Sequence, residues 1–265
     1  MHLPRTANYR VPDSNVEHLA VALKHEGIDL RVLSQLFHCD QIHEELTDYI
    51  GSNPRGLYSR RAWFLYEWLM DRRLPLADVA GVPYVPILNP NQYLVCRGSR
   101  STRHKIEDNL PGVPGYCPLI RRTERLAEDR IRALKTEAQE TVAKADPTIL
   151  RRATSFLLLN ESKGSFGIEG ETPPRNRLER WGKVIADARD VQLSVDSIEN
   201  LHRSLFDPKA DRFVVYGLRE QGGFVGRHDH FDQTPIPDHI SARQDDLTNL
   251  LEALIEAYYR CLNSP

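Results

Sequence analysis

The chain has 265 residues, with 35 Lys and Arg against 37 Asp and Glu and a formal net charge of −2. That balance leaves no basic footprint for general nucleic-acid or membrane-surface binding. A composition of 40% hydrophobic and 27% charged residues excludes a disordered chain and allows one or two domains.

The N-terminal stretch MHLPRTANYRVPDS has no apolar signal core, and no uninterrupted apolar run approaches a membrane span. A cytoplasmic protein without a membrane partner is the expectation. The cysteines at 39, 96, 117 and 261 lack CxxC spacing and read as reduced, structural thiols.

Ser14 is a helix cap before Val16, Leu19, Ala20 and Leu23, which recur at helical spacing until Gly27. Leu30, Leu33, Leu36 and Phe37 continue as a second helix, and Ile42, Leu46 and Ile50 as a third. Gly51 to Pro54 is a break. Residues Arg61 to Asp71, with AWFLYEWLM between them, are apolar nearly all round, the pattern of a buried helix. Tyr84, Val85, Ile87, Tyr93, Leu94 and Val95 flank Asn89-Pro90-Asn91 and read as a β-hairpin or two short strands over 83–96. The run Arg97, Arg100, Arg103, His104 and Lys105 reads as a solvated basic face, with phosphate contact as a weak alternative. Residues 121–145 are dominated by charge and predict a helix connecting two halves.

Asp146-Pro147 predicts a helix start, followed by Ile149, Leu150, Ala153, Phe156 and Leu157 at helical spacing. Further helices are expected over Arg177–Ala188 and Ser194–Phe206, then a strand at Phe213–Tyr216. Gly222 and Gly223 suit a tight hairpin turn before Phe224-Val225. A Pro-rich turn at Pro235–Ile240 and a final amphipathic helix complete the chain. In that helix Leu247, Leu250, Leu251, Leu254, Tyr258 and Cys261 lie along one stripe.

The most informative stretch is Ser165-Phe166-Gly167-Ile168-Glu169-Gly170. Ser165 and Glu169 are one helical turn apart on one face. Gly170 suits a left-handed helix end, and Pro173 and Pro174 forbid continuation. A carboxylate at the negative end of a helix opposes its dipole, which suggests a cationic partner such as an arginine. His228-Asp229-His230 with Asp232 lacks the further convergent ligands a metal needs and reads as a polar loop. Cys39 and His43 are four apart without a partner pair, and His202 reads as a packing residue.

The Ser-x-x-x-Glu-Gly segment resembles the inhibitory helix of Fic (Fido) family proteins. The resemblance continues through Leu201-His202, Tyr216-Gly-Leu-Arg219, Gly222-Gly-Phe-Val-Gly226, Pro235–Ile240 and the final helix. The family's catalytic His-Pro-Phe-x-Asp/Glu-Gly-Asn-Gly-Arg-x-x-Arg element does not occur in these residues, so the chain resembles the front part of such a protein. The expected fold is mainly α with one or two small β-hairpins. Residues 1–145 are expected to form an N-terminal helical domain with a hairpin and connecting helix, and 146–265 an incomplete Fic-like domain. The resemblance implies AMP transfer from ATP to hydroxyls of a target protein, with ATP and Mg as cofactors that this chain alone does not bind. It implies that Ser165, Glu169 and Gly170 form an inhibitory motif. Arg219, Phe224, Val225 and Gly226 would then form a mobile flap that docks the target by strand pairing. An uncovered stripe on the final helix predicts self-association. The alternative is a non-enzymatic regulator that acts in trans on a separate Fic protein, as antitoxin partners do.

Overall fold

The computed structural model describes residues 14–126, 128–168, 170, 175–187, 191–206 and 216–263. Among them the fold is mainly α with two small sheets. The helices are α1 (Asn15–His25), α2 (Leu30–Phe37), α3 (Ile42–Ser52), α4 (Leu57–Met70), α5 (Glu128–Lys144), α6 (Pro147–Ile168), α7 (Arg175–Asp187), α8 (Val195–Leu205) and α9 (Leu247–Leu262). The strands are β1 (Val85–Pro86), β2 (Ser99–Ser101), β3 (Ile106–Asp108), β4 (Phe224–His228) and β5 (Pro235–Ile240). The chain divides into two compact units, residues 1–122 with 257–265, and residues 123–256. The charged helix α5 therefore lies in the second unit, and the last turns of α9 belong to the first.

Local chemistry sets the helices of the first unit. The Ser14 hydroxyl accepts from the Glu17 N–H, and the Asp29 carboxylate accepts from the N–H groups of Arg31 and Val32. These are orphan donors that a helix N-terminus must otherwise leave to water. Gly27 adopts φ +97°, and a side chain there would also collide with the Tyr93 hydroxyl. Ala62, Trp63, Phe64, Leu65 and Tyr66 are consecutively buried. The middle of α4 is thus enclosed on every side, with α1, α2 and α3 against it. It starts a turn earlier than its apolar run, at Leu57, and ends with Asp71 in the left-handed region at φ +47°.

Over 83–96, where a hairpin or two short strands were expected, the structure has the short strand β1. β1 pairs in parallel with β3, Val85 opposite Ile106, and β2 pairs antiparallel with β3, Ser101 opposite Ile106. The hairpin is therefore built from the basic run itself, and the sheet order is β1-β3-β2. Ile87, Leu88 and Tyr93 are apolar because they enter the core, so their hydrophobicity reflected burial and not strand alternation. Arg60 donates to the carbonyls of Pro83 and Lys105, and Arg61 to that of Pro86. These bonds hold the sheet against α4.

In the second unit the Asp146 carboxylate accepts from the Thr148 N–H at 2.7 Å and starts α6. α6 packs on α7 and α7 on α8. A reciprocal cap between Ser194 and Ser197 opens α8. The His202 ring meets Phe206 and Tyr216 edge-on, as its packing role required. The strand expected at Phe213–Tyr216 falls, up to residue 215, outside the described residues.

The second hairpin also departs from expectation. β4 and β5 pair antiparallel, with Phe224 opposite Ile240 and His228 opposite Pro235. The reversal is made by residues 229–234, not by Gly222-Gly223, which precede β4. The Pro-rich segment is strand β5 and not a turn. Proline is tolerated there because a two-stranded ribbon has outward edges that require no N–H donor.

Candidate functional site

The motif glycine closes a long helix. α6 spans 22 residues, and Ser165 lies in its last turn. The Gly170 N–H bonds the Gly167 carbonyl at 3.1 Å, and Gly170 takes φ +71°. This left-handed turn is the stop that a glycine allows. Glu169 lies outside the described residues. Ile168, beside it, is 89% exposed.

The flap residues come together on the β4–β5 ribbon. Arg219 donates to the carbonyls of Gln221 and Ala242. It thereby ties the segment entering β4 to the segment leaving β5. The Ser241 N–H to the Gly223 carbonyl, at 2.9 Å, closes the same base. Phe224 packs edge-on against His228. The register shifts between Val225 and Gly226, a bulge that bends the strand. A Cβ on Gly226 would strike the Ile236 carbonyl, so the bulge depends on glycine. Val225 and Ile240 are exposed, and Phe231 at the tip is 97% exposed. Among the described residues no further strand pairs with either outer edge of the ribbon, and such an edge is the template on which an added strand pairs.

The reversal is organised by two carboxylates. Asp229 accepts from the Phe231 N–H at 2.7 Å and Asp232 from the Thr234 N–H at 3.0 Å. The latter bond holds the Asp232 carboxyl below its ordinary range. His228, Asp229, His230 and Asp232 do not converge. No group of three or more His, Cys, Asp or Glu side chains among the described residues is arranged for a metal. Cys39 and His43 also separate, as Cys39 donates to the Gln35 carbonyl and His43 bonds the Tyr66 hydroxyl.

No protein-family model, curated protein or solved structure matches this chain.

The other polar concentration is in the first unit, and sequence reasoning missed it. Glu67 on α4 accepts from Trp63 Nε1 at 2.7 Å, the Leu74 N–H at 2.9 Å and Arg103 at 2.9–3.2 Å, and meets His104 Nε2 at 3.1 Å. Arg103 also donates to the carbonyls of Leu74 and Leu76 and to Asp78, and lies over the Trp63 ring at 4.6 Å. Arg103 and His104 thus point inward, contrary to the expected solvated face. Arg100 and Lys105 of that run lie over the Tyr84 ring. A helix residue, a loop and a β-turn converge here across 36 residues of sequence, so no short motif could announce it.

Burial lowers the His104 imidazole to about 4, although the Glu67 charge pulls it the other way. The ring is therefore neutral at pH 7. It donates from Nε2 to Glu67 and accepts at Nδ1 from the Ser101 hydroxyl at 2.7 Å. Burial raises the Glu67 carboxyl, but the hydrogen bonds from Arg103, the Leu74 N–H and Trp63 outweigh it, leaving it low. Every donor nitrogen of Arg103 is spent on protein oxygens. The cluster is a structural clasp that ties α4 to the loop after it and to the β2–β3 turn.

No helix among the described residues is long and apolar enough to cross a membrane.

Proposed function

We propose that this chain is the regulatory and target-docking front part of a Fic-type AMP transferase. Ser165, Glu169 and Gly170 form its brake and the β4–β5 ribbon its docking flap. The observation that carries the reading is the order of parts. A helix ends at Ile168 with Gly170 in a left-handed turn, and a two-stranded hairpin built from the flap residues follows two helices later.

Ser165 stands in the last turn of the brake helix, and Glu169 would carry the inhibitory carboxylate. The ribbon would receive an extended segment of the target protein by main-chain pairing, with Arg219 holding its base. Uncovered apolar faces also support the reading. Ile149, Phe156 and Leu157 on α6, and Leu250, Leu254 and Tyr258 on α9, are exposed. A helical domain with such faces calls for further packing, which additional Fic helices would supply.

The test joins this chain in frame to a catalytic segment bearing the His-Pro-Phe and Gly-Asn-Gly-Arg element. Transfer of labelled AMP is compared with and without Glu169→Gly. The variant is expected to be faster by roughly tenfold or more, the scale of an ordinary coupling between sites. An unchanged rate would remove the brake from the proposal.

A further inference from the structure

We propose that Cys96 and Cys261 are a thiol–disulfide pair, oxidised by a small disulfide such as oxidised glutathione, that joins the two chain segments of the first unit. The two sulfurs stand 3.2 Å apart although 165 residues separate them in sequence. A bonded pair has its sulfurs at about 2.05 Å, so closure needs movement of only about an ångström.

The partners are held in place by their surroundings. Arg260, next to Cys261, bonds the Asp108 carboxylate at 2.7 Å and the carbonyls of Leu110 and Asp108. The Cys261 thiol itself lies 3.1 Å from the Pro111 carbonyl. Cys96 is buried, whereas Cys261 is exposed. This asymmetry assigns the order of events, because Cys261 is the more accessible residue of the pair.

The Cys261 thiolate attacks one sulfur of the small disulfide. A protein–glutathione mixed disulfide forms, and one glutathione thiol leaves. The Cys96 thiolate then attacks the Cys261 sulfur and expels the second glutathione thiol. Two protein thiols are oxidised and one disulfide is reduced to two thiols, with no other reactant. Burial and the neighbouring Cys96 hold the Cys261 thiol at about 11, so the exchange is slow at neutral pH and responds to sustained oxidation.

The consequence follows from chain topology. Residues 123–256 form a unit inserted between two segments of the first. A Cys96–Cys261 bond covalently closes the exit of that insertion. The remaining cysteines act as internal comparisons. Cys39 is exposed and donates to the Gln35 carbonyl, and burial pushes the Cys117 thiol up to about 12.

The experiment treats the dilute full chain with oxidised glutathione, blocks remaining thiols with an alkylating agent, and maps peptides by mass spectrometry. The expected result is the loss of two of the four thiols in a monomer, with one peptide pair joined through Cys96 and Cys261. Cys96→Ser is expected to leave a glutathione adduct on Cys261, and the exposed-site variant Cys261→Ser to leave Cys96 free. Circular dichroism checks that each variant is folded. The proposal is overturned if the native chain stops at the adduct. It is equally overturned if the bond joins other cysteines or forms only between molecules.

Discussion

Arg103→Met removes the centre of the clasp while keeping most of the side-chain volume. Arg103 is 12% exposed and Glu67 13%, so the pair is shielded from water and from salt. The substitution deletes the bonds to Glu67, to Asp78 and to the carbonyls of Leu74 and Leu76. Glu67 keeps Trp63, the Leu74 N–H and His104, but its buried charge loses its cation. Removing one partner of a buried pair costs about 3–5 kcal/mol. The ion pair's Asp78 arm is half in solvent, which places the expectation at the lower end, about 3 kcal/mol. The assay is denaturant unfolding of the full chain followed by tryptophan fluorescence, since Trp63 both donates to Glu67 and underlies Arg103. The two units can unfold separately, so the transition assigned to the first unit is the one compared. Arg72→Met, at an exposed position, is the control and is expected to change stability by less than about 0.5 kcal/mol. A loss below about 1 kcal/mol for Arg103→Met, with the control unchanged, would refute the clasp.

The neutral His104 gives that unit a pH dependence. Its folded value of about 4 lies below the usual 6.5, so the unfolded chain binds the extra proton between those limits. Stability from this group is complete above about pH 6.5 and declines as pH falls toward 4, by about 3 kcal/mol in total. His104→Gln should flatten the slope of the denaturation midpoint over that range, and an unaltered slope would assign it to another group. Gly226→Ala should force the β4–β5 bulge apart at the Ile236 carbonyl. The expected local cost exceeds about 1 kcal/mol, read as faster amide exchange at the paired residues of β4 and β5, with helices α1 to α4 unaffected.

The sequence itself determined the helices of the first unit. Ser14 and Asp29 bond their own next turn, and Leu19, Leu23, Leu33 and Phe37 repeat at the period of one face. Such signals are local, so they survive without knowledge of neighbours. It also supplied the candidate motif and the glycine stop at Gly170, because a left-handed turn is a property of one residue. The extent of α6 was less legible, since its polar residues between 158 and 165 interrupt the stripe without breaking the helix. Only the tertiary structure decided the strands and the polar partners. Val85 finds Ile106, and Pro235–Ile240 becomes a strand because Phe224–His228 lies beside it. Arg103 turns inward because Glu67, from a helix far back in the chain, offers a buried carboxylate. Strand pairing and buried charge compensation depend on what arrives from distant sequence, and no spacing within a segment encodes that.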